Sequence, residues 1–163
     1  LLLLVPRHPE RFAEVRDRVK RKKFLVVSRT EERACPPEAT VFLGDTMGEV
    51  PMFYAASDVA FVGGSLVPVG GHNLLEPAAQ ALPVVTGPHL YNTQDIADMF
   101  VEMKACQIVK NADELSTAVA GLLDNPEIAA EMGQNALTLL EQNKGALARL
   151  LVLLEPLLLK TPA

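Results

Sequence analysis

Short apolar runs, each followed by a stretch with helical spacing, recur along the chain as far as Val109. Leu1–Val5, Phe24–Ser28, Thr40–Leu43, Val59–Val62, Pro83–Thr86 and Gln107–Val109 are rich in Leu or β-branched residues and show no polar alternation. That is the pattern of strands buried on both faces. Between them, Glu10–Arg21, Gly48–Ala56, Asn73–Ala81 and Gln94–Met103 carry apolar residues at helical intervals. The β-α-β order with short connections predicts an α/β chain built on a doubly wound, Rossmann-like parallel sheet. Beyond Val109 the strands stop, and Asp113–Leu123, Pro126–Gln142 and Gly145–Leu159 read as extra C-terminal helices. Asn125 and Pro126 suit the cap and first turn of the second of these.

In open parallel sheets, ligands bind beyond the carboxyl ends of the strands. Four turns fall there: Pro6–Pro9, Gly44–Glu49, Gly63–Asn73 and Gly87–Asn92. Together they predict one composite site. The polar, charged and Pro-containing stretch Thr30–Glu38 reads as the most disposable loop.

At 163 residues and 49% hydrophobic, the chain is long enough to bury a sizeable core, and one domain is the default. The net charge of −5 argues against a nucleic-acid partner, which would select clustered Lys and Arg. The one basic run, Arg16 to Lys23, sits at a helix end, where cations complement the helix dipole; a surface for anionic lipid headgroups is the alternative. Cys35 and Cys106 have no ligand spacing and predict neither a disulfide scaffold nor a zinc site, which fits a reducing cytosol. No signal peptide is visible. The chain opens inside an apolar strand without an initiator Met, which predicts a segment of a longer protein. The last helix is very apolar, yet Arg149, Glu155 and Pro156 interrupt it short of the ~20 residues a span needs, so it reads as a docking helix.

Each turn offers its own chemistry. Arg7 lies between Pro6 and Pro9 after the first strand, and its planar guanidinium suits a phosphate. His8 reads as a loop histidine with local partners. Thr46-x-x-Glu49 matches a capping box, a structural account that needs no ligand. Gly48 fits that account poorly, since glycine weakens a helix start; a flat base lying against the backbone would require it. Asn73-x-x-Glu76 is a second possible capping box, preceded by Gly70–Gly71 and by Gly63–Gly64. Paired glycines let backbone N–H groups approach a ligand, and a helix start favours an anion. A carboxylate at Glu76 is a good acceptor for the vicinal hydroxyls of a ribose. His89 and Asn92 stand within reach of that ligand or of its neighbours. No nucleophile with its base, no metal cluster, no Gly-x-Gly-x-x-Gly and no Walker pattern is present; Ser65 has the wrong surroundings for a nucleophile elbow.

The motifs PRHPER at Pro6–Arg11, GDTMGE at Gly44–Glu49, FVGGSL at Phe61–Leu66, GGHNLLEPAA at Gly70–Ala79 and GPH at Gly87–His89 stand in order and spacing. They closely resemble the carboxy-terminal half of the 3-deoxy-D-manno-octulosonic acid (Kdo) transferases, over essentially the whole chain. Leu74 departs from the family, which often has Pro there, and Thr93 stands where Phe is common.

The resemblance implies one half of a GT-B fold, with residues 1–163 forming the domain that binds the donor CMP-Kdo. It implies an inverting transfer of Kdo to a lipid A precursor, in lipopolysaccharide assembly at the cytoplasmic face of the inner membrane. An N-terminal domain, absent from this chain, would carry the acceptor surface, the membrane anchor and the catalytic base. By motif, Pro6 and Arg7 would meet the CMP phosphate, with Arg7 stabilising the leaving group. Met47, Gly48 and Glu49 would frame the nucleotide, and Asn73, Leu74, Leu75 and Glu76 would bind CMP. No metal or other cofactor is implied. The isolated chain is expected to bind CMP and to transfer nothing. A different sugar-nucleotide transferase or epimerase, and a non-enzymatic nucleotide-binding module, stay open beside this reading.

Overall fold

The computed structural model describes residues 1–145, 150–152 and 154–155. The chain divides into two compact units, Leu1–Asp58 and Val59–Ala163. Each is α/β, and each holds a parallel sheet of three short strands.

The first unit runs β1 (Leu2–Leu4), α1 (Phe12–Arg21), β2 (Val26–Ser28), β3 (Val41–Leu43) and α2 (Val50–Ala55). β3 lies between β1 and β2, with Leu4 and Ser28 both in register with Leu43. Val15 and Val19, one helical turn apart, lay α1 against Val26, Val41 and Leu43. Glu14 stands in the first turn of α1 and Arg18, Lys20 and Arg21 in its last, the arrangement the helix dipole favours.

The second unit runs β4 (Ala60–Val62), α3 (Leu75–Ala78), β5 (Val84–Thr86), α4 (Gln94–Glu102), β6 (Cys106–Ile108), α5 (Ala112–Asp124) and α6 (Pro126–Asn143). β5 is central, pairing Val62 through Thr86 to Ile108. Its two faces bury separate clusters. Val84 packs with Leu74, Ala97, Phe100 and Leu139, whereas Val85 packs with Val109, Ala118 and Leu122. A central parallel strand covered on both faces explains why Val84–Val85 reads as an unbroken apolar run.

All six strands and the helix positions match the sequence pattern, with three differences. The expected single sheet is two three-stranded ladders. The helix expected at Gly48–Ala56 begins at Val50, because Gly48 adopts φ +82°, which no right-handed helix contains. The helix expected over Asn73–Ala81 is the single turn Leu75–Ala78, after which Ala81 reverses the backbone at φ +52°. Pro77 is tolerated there because the first turn of a helix needs no donor N–H. The expected helix Gly145–Leu159 falls largely outside the described residues. No helix among the described residues is long and apolar enough to cross a membrane.

Candidate functional site

In the first unit, three turns follow the carboxyl ends of the strands. After β1, Pro6 is half-buried and Arg7 exposed, ahead of a short 3-10 turn at Pro9–Arg11. His8 Nδ1 stands 3.9 Å from Glu10, a local partner of the kind expected. After β3, Gly44–Glu49 forms a loop whose two carboxylates are both held. Asp45, 8% exposed, accepts from Arg16 Nη2 at 2.9 Å, from Thr30 Oγ1 at 2.7 Å and from the Thr30 backbone N–H at 3.0 Å. Burial opposes its ionisation, yet the two Thr30 hydrogen bonds and the Arg16 charge hold its carboxyl below the usual aspartate range. Glu49 accepts from the Thr46 hydroxyl on Oε2 and from Arg29 Nη2 on Oε1 at 3.0 Å. The Thr46 hydrogen bond, with Arg29 beside it, lowers the Glu49 pKa against a smaller opposing effect of desolvation.

The capping box expected at Thr46 and Glu49 is therefore not formed. Glu49 is itself the residue that caps α2, and the two side chains bond each other. Between the two anchors Met47 is 65% exposed, and Gly48 turns with open space where a side chain would stand.

In the second unit several neutral contacts brace the loop after β4. The Gly71 N–H donates to the Gly64 carbonyl at 2.8 Å, closing the glycine loop on itself. Tyr91 OH donates to the Pro68 carbonyl at 2.7 Å and Asn92 Nδ2 to that of Val69 at 3.2 Å. At Gly70, φ is +106° and an added Cβ would lie 2.2 Å from Asn92 Nδ2, so this glycine answers both to conformation and to a close neighbour. Ser65, fully buried, donates to the Val62 carbonyl at 2.7 Å and accepts from the Gly87 N–H at 2.8 Å. Its hydroxyl is a joint between two turns rather than a nucleophile, in line with the sequence reading.

The sequence-derived pair Asn73 and Glu76 is exposed and together: Asn73 Nδ2 donates to Glu76 Oε1 at 3.3 Å. Asn73 Oδ1 accepts the Leu75 N–H at 3.0 Å and so opens α3 from one position further out than a cap. The reciprocal box is absent here too. Leu74 is fully buried in the core and Leu75 packs against the same cluster, which leaves only their backbone for a ligand. A single-turn α3 has few aligned peptides, so its dipole is weaker than that of the helix expected. Asn92 is spent on the glycine loop.

Sequence reasoning missed Arg16, Arg29 and Thr30, and placed Thr30 in a dispensable loop. The strand register carried the signal: Ser28 and Leu43 pair at the ends of β2 and β3, which brings Thr30 and Asp45, each two residues past its strand, within bonding distance. Among the described residues no group of three His, Cys, Asp or Glu is placed to hold a metal ion.

Two α/β units, each built on a parallel sheet with polar turns beyond its strands, have the architecture of Rossmann-like domains. The chain belongs to the family Glycosyl transferases group 1, which its residues 22–138 match. It is 47% identical over 159 residues to the 3-deoxy-D-manno-octulosonic acid transferase of Haemophilus influenzae, covering 97% of this chain and 37% of that protein. The Bordetella pertussis protein of the same name is 37% identical over 156 residues, covering 95% of this chain and 36% of its own length. Among solved structures, the C-terminal CMP-Kdo binding domain of WaaA from Acinetobacter baumannii matches with a TM-score of 0.82 at 37% identity, over 85% of this chain and 72% of that domain. The fold is thus the Rossmann-like half of the GT-B type. The chain spans little more than a third of the length of those curated relatives.

Proposed function

We propose that this chain is the donor-binding half of an enzyme that moves Kdo from CMP-Kdo to a lipid A precursor with inversion, at the cytoplasmic face of the inner membrane. The likeness to a domain described as CMP-Kdo binding supports this reading most, with a TM-score of 0.82 and 37% identity over 85% of this chain.

Arg7 would meet the CMP phosphate, where a guanidinium offers paired donors and a fixed charge. The acceptor hydroxyl attacks the anomeric carbon of Kdo as the bond to the CMP phosphate breaks. CMP departs with the electron pair, and Arg7 stabilises the charge that develops on it. With α3 reduced to one turn, that task rests on Arg7 and on backbone N–H groups more than on a helix dipole. Glu76 would accept from the ribose hydroxyls; among the described residues only its Oε1 has a hydrogen-bond partner. Met47 and Gly48 offer backbone to the nucleotide. The base that takes the acceptor proton belongs to the part of the enzyme this chain does not span. The reaction so written requires no metal.

Calorimetric titration of CMP, UDP and GDP tests the reading. CMP binds in preference to the other two, chelator does not weaken it, and Arg7→Ala or Glu76→Ala weakens it by about tenfold or more. Equal affinity for all three nucleotides sinks the donor assignment. The chain alone yields no transfer from CMP-Kdo to a lipid A precursor; measurable product would overturn the division of labour.

A further inference from the structure

The turn that follows β2 has no place in the reading above, yet it grips both ends of the Gly44–Glu49 loop. We propose that Arg29 and Thr30 are positioning residues that set this loop in the shape the nucleotide requires. The inference rests on the proposed donor reading and concerns residues that never touch the donor.

Two successive residues do the holding. Thr30 gives Asp45 two hydrogen bonds, one from its hydroxyl at 2.7 Å and one from its backbone N–H at 3.0 Å. Arg29 Nη2 reaches Glu49 Oε1 at 3.0 Å. The gripping turn is itself fixed. Glu31 Oε1 accepts the Ser28 N–H at 3.2 Å, Arg33 Nε donates to Glu31 Oε2 at 2.6 Å, and Glu32 closes the turn at φ +49°. β2 anchors all of this from below, since Ser28 is 1% exposed and accepts from Arg16 Nη2 at 2.5 Å.

The carboxylates show what the clasp is for. Both oxygens of Glu49 and both of Asp45 are engaged inside the protein, so neither side chain waits for a ligand. Between them Met47 and Gly48 are the exposed arc. An arc held at both ends has little left to lose in conformational freedom when a ligand orders it, and such pre-ordering strengthens binding. Arg29 acts on the donor through Glu49, and Thr30 through Asp45.

The test uses the chain with CMP as probe, reading affinity by calorimetry, amide exchange at Thr46–Gly48 without ligand, and melting temperature. Arg29→Ala weakens CMP on the order of tenfold and speeds loop exchange while the melting temperature changes little. Arg29→Lys, which keeps the charge but not the planar fork, recovers part of both. Arg18→Ala, which removes an exposed pairing with Glu14, changes neither. Unchanged affinity and exchange in Arg29→Ala overturn the inference and leave the donor reading standing. So does a loss of CMP binding that merely tracks melting temperature and that lysine does not rescue, for that assigns Arg29 to the fold alone. Failure of the unaltered chain to take CMP removes the donor reading, and this inference with it.

Discussion

In the unit Leu1–Asp58 the turn beyond the central strand is held by charge: Arg16 and Thr30 on Asp45, Arg29 and Thr46 on Glu49. In the unit from Val59 onward the turns beyond β4 and β5 are held by neutral hydrogen bonds and by backbones packed against each other. Ser65 joins Gly87, and Tyr91 and Asn92 brace the carbonyls of Pro68 and Val69. The same architecture thus secures the turns beyond its strands in two ways, and the two fail under different insults. Ion pairs weaken with protonation or removal of a partner, whereas close packing weakens when volume is added.

Gly87→Ala puts the packed unit to the hardest test. Gly87 needs no unusual φ, so conformation does not explain it. An added Cβ would lie 2.2 Å from the Ser65 carbonyl oxygen and 2.6 Å from the Leu66 nitrogen, both backbone atoms with nowhere to swing. Pushing these backbones apart would also stretch the bond from the residue 87 N–H to the fully buried Ser65 hydroxyl, 2.8 Å in the parent. The expected cost is about 3 kcal/mol or more, at the upper end for overpacking because backbone must move. Urea denaturation followed by amide exchange at Val62 and Val85 measures it, and the loss should be the same at high and low pH. A near-neutral result would show that the two turns part easily, erasing the contrast.

Arg16→Ala should cost less, about 2 kcal/mol, and its effect should depend on pH. Asp45 would keep its burial and lose its cation; the figure lies below the ~3–5 typical of fully buried pairs because the Arg16 side chain is 33% exposed. The folded-state pKa of Asp45 lies below its ordinary value. Its contribution is therefore fully present above the ordinary aspartate pKa of about 4 and is lost as pH falls through the lower folded value. Removing Arg16 raises that folded value in part, since the Thr30 hydrogen bonds still hold it down, so the variant should lose somewhat less on acidification than the parent does. Stability curves for the two chains that run parallel down to acid pH would refute a charge-held turn.

What could be read from residues alone follows the same division. The strands were legible because a strand covered on both faces, such as Val84–Val85, must be apolar throughout. Gly70–Gly71 and Gly48 drew attention as places where a ligand could approach the backbone; the structure adds that all three adopt positive φ, which itself selects glycine. What approaches them was not legible: Tyr91 carried no signal, and Asn92, read as a possible ligand neighbour, instead fills the space at Gly70. Helix ends were read too long at Gly48 and Asn73, because a pattern of apolar positions does not register a single reversed φ. The Thr30–Asp45 bond was hidden for another reason. A charged loop is commonly solvated, and only the pairing of Ser28 with Leu43 brings the two residues together. Arg7 and Glu76 were named from motif and chemistry, and both are exposed.

The smallest effect separates two explanations of Gly48. Its φ of +82° alone favours glycine, and a Cβ would meet no atom within 4 Å, so crowding by the protein is not the reason. If backbone conformation were the whole account, Gly48→Ala would cost about 1 kcal/mol of stability, and Gly48→Asn less, because asparagine tolerates the left-handed region. CMP affinity would then follow stability, with asparagine close to the parent. A nucleotide lying against the α-carbon makes a different demand: any Cβ pushes it away, so asparagine loses as much affinity as alanine despite its milder effect on folding. We expect the second pattern. Calorimetry and denaturation on the two variants decide it, and an asparagine variant that binds CMP as the parent does would leave Gly48 a matter of backbone geometry alone.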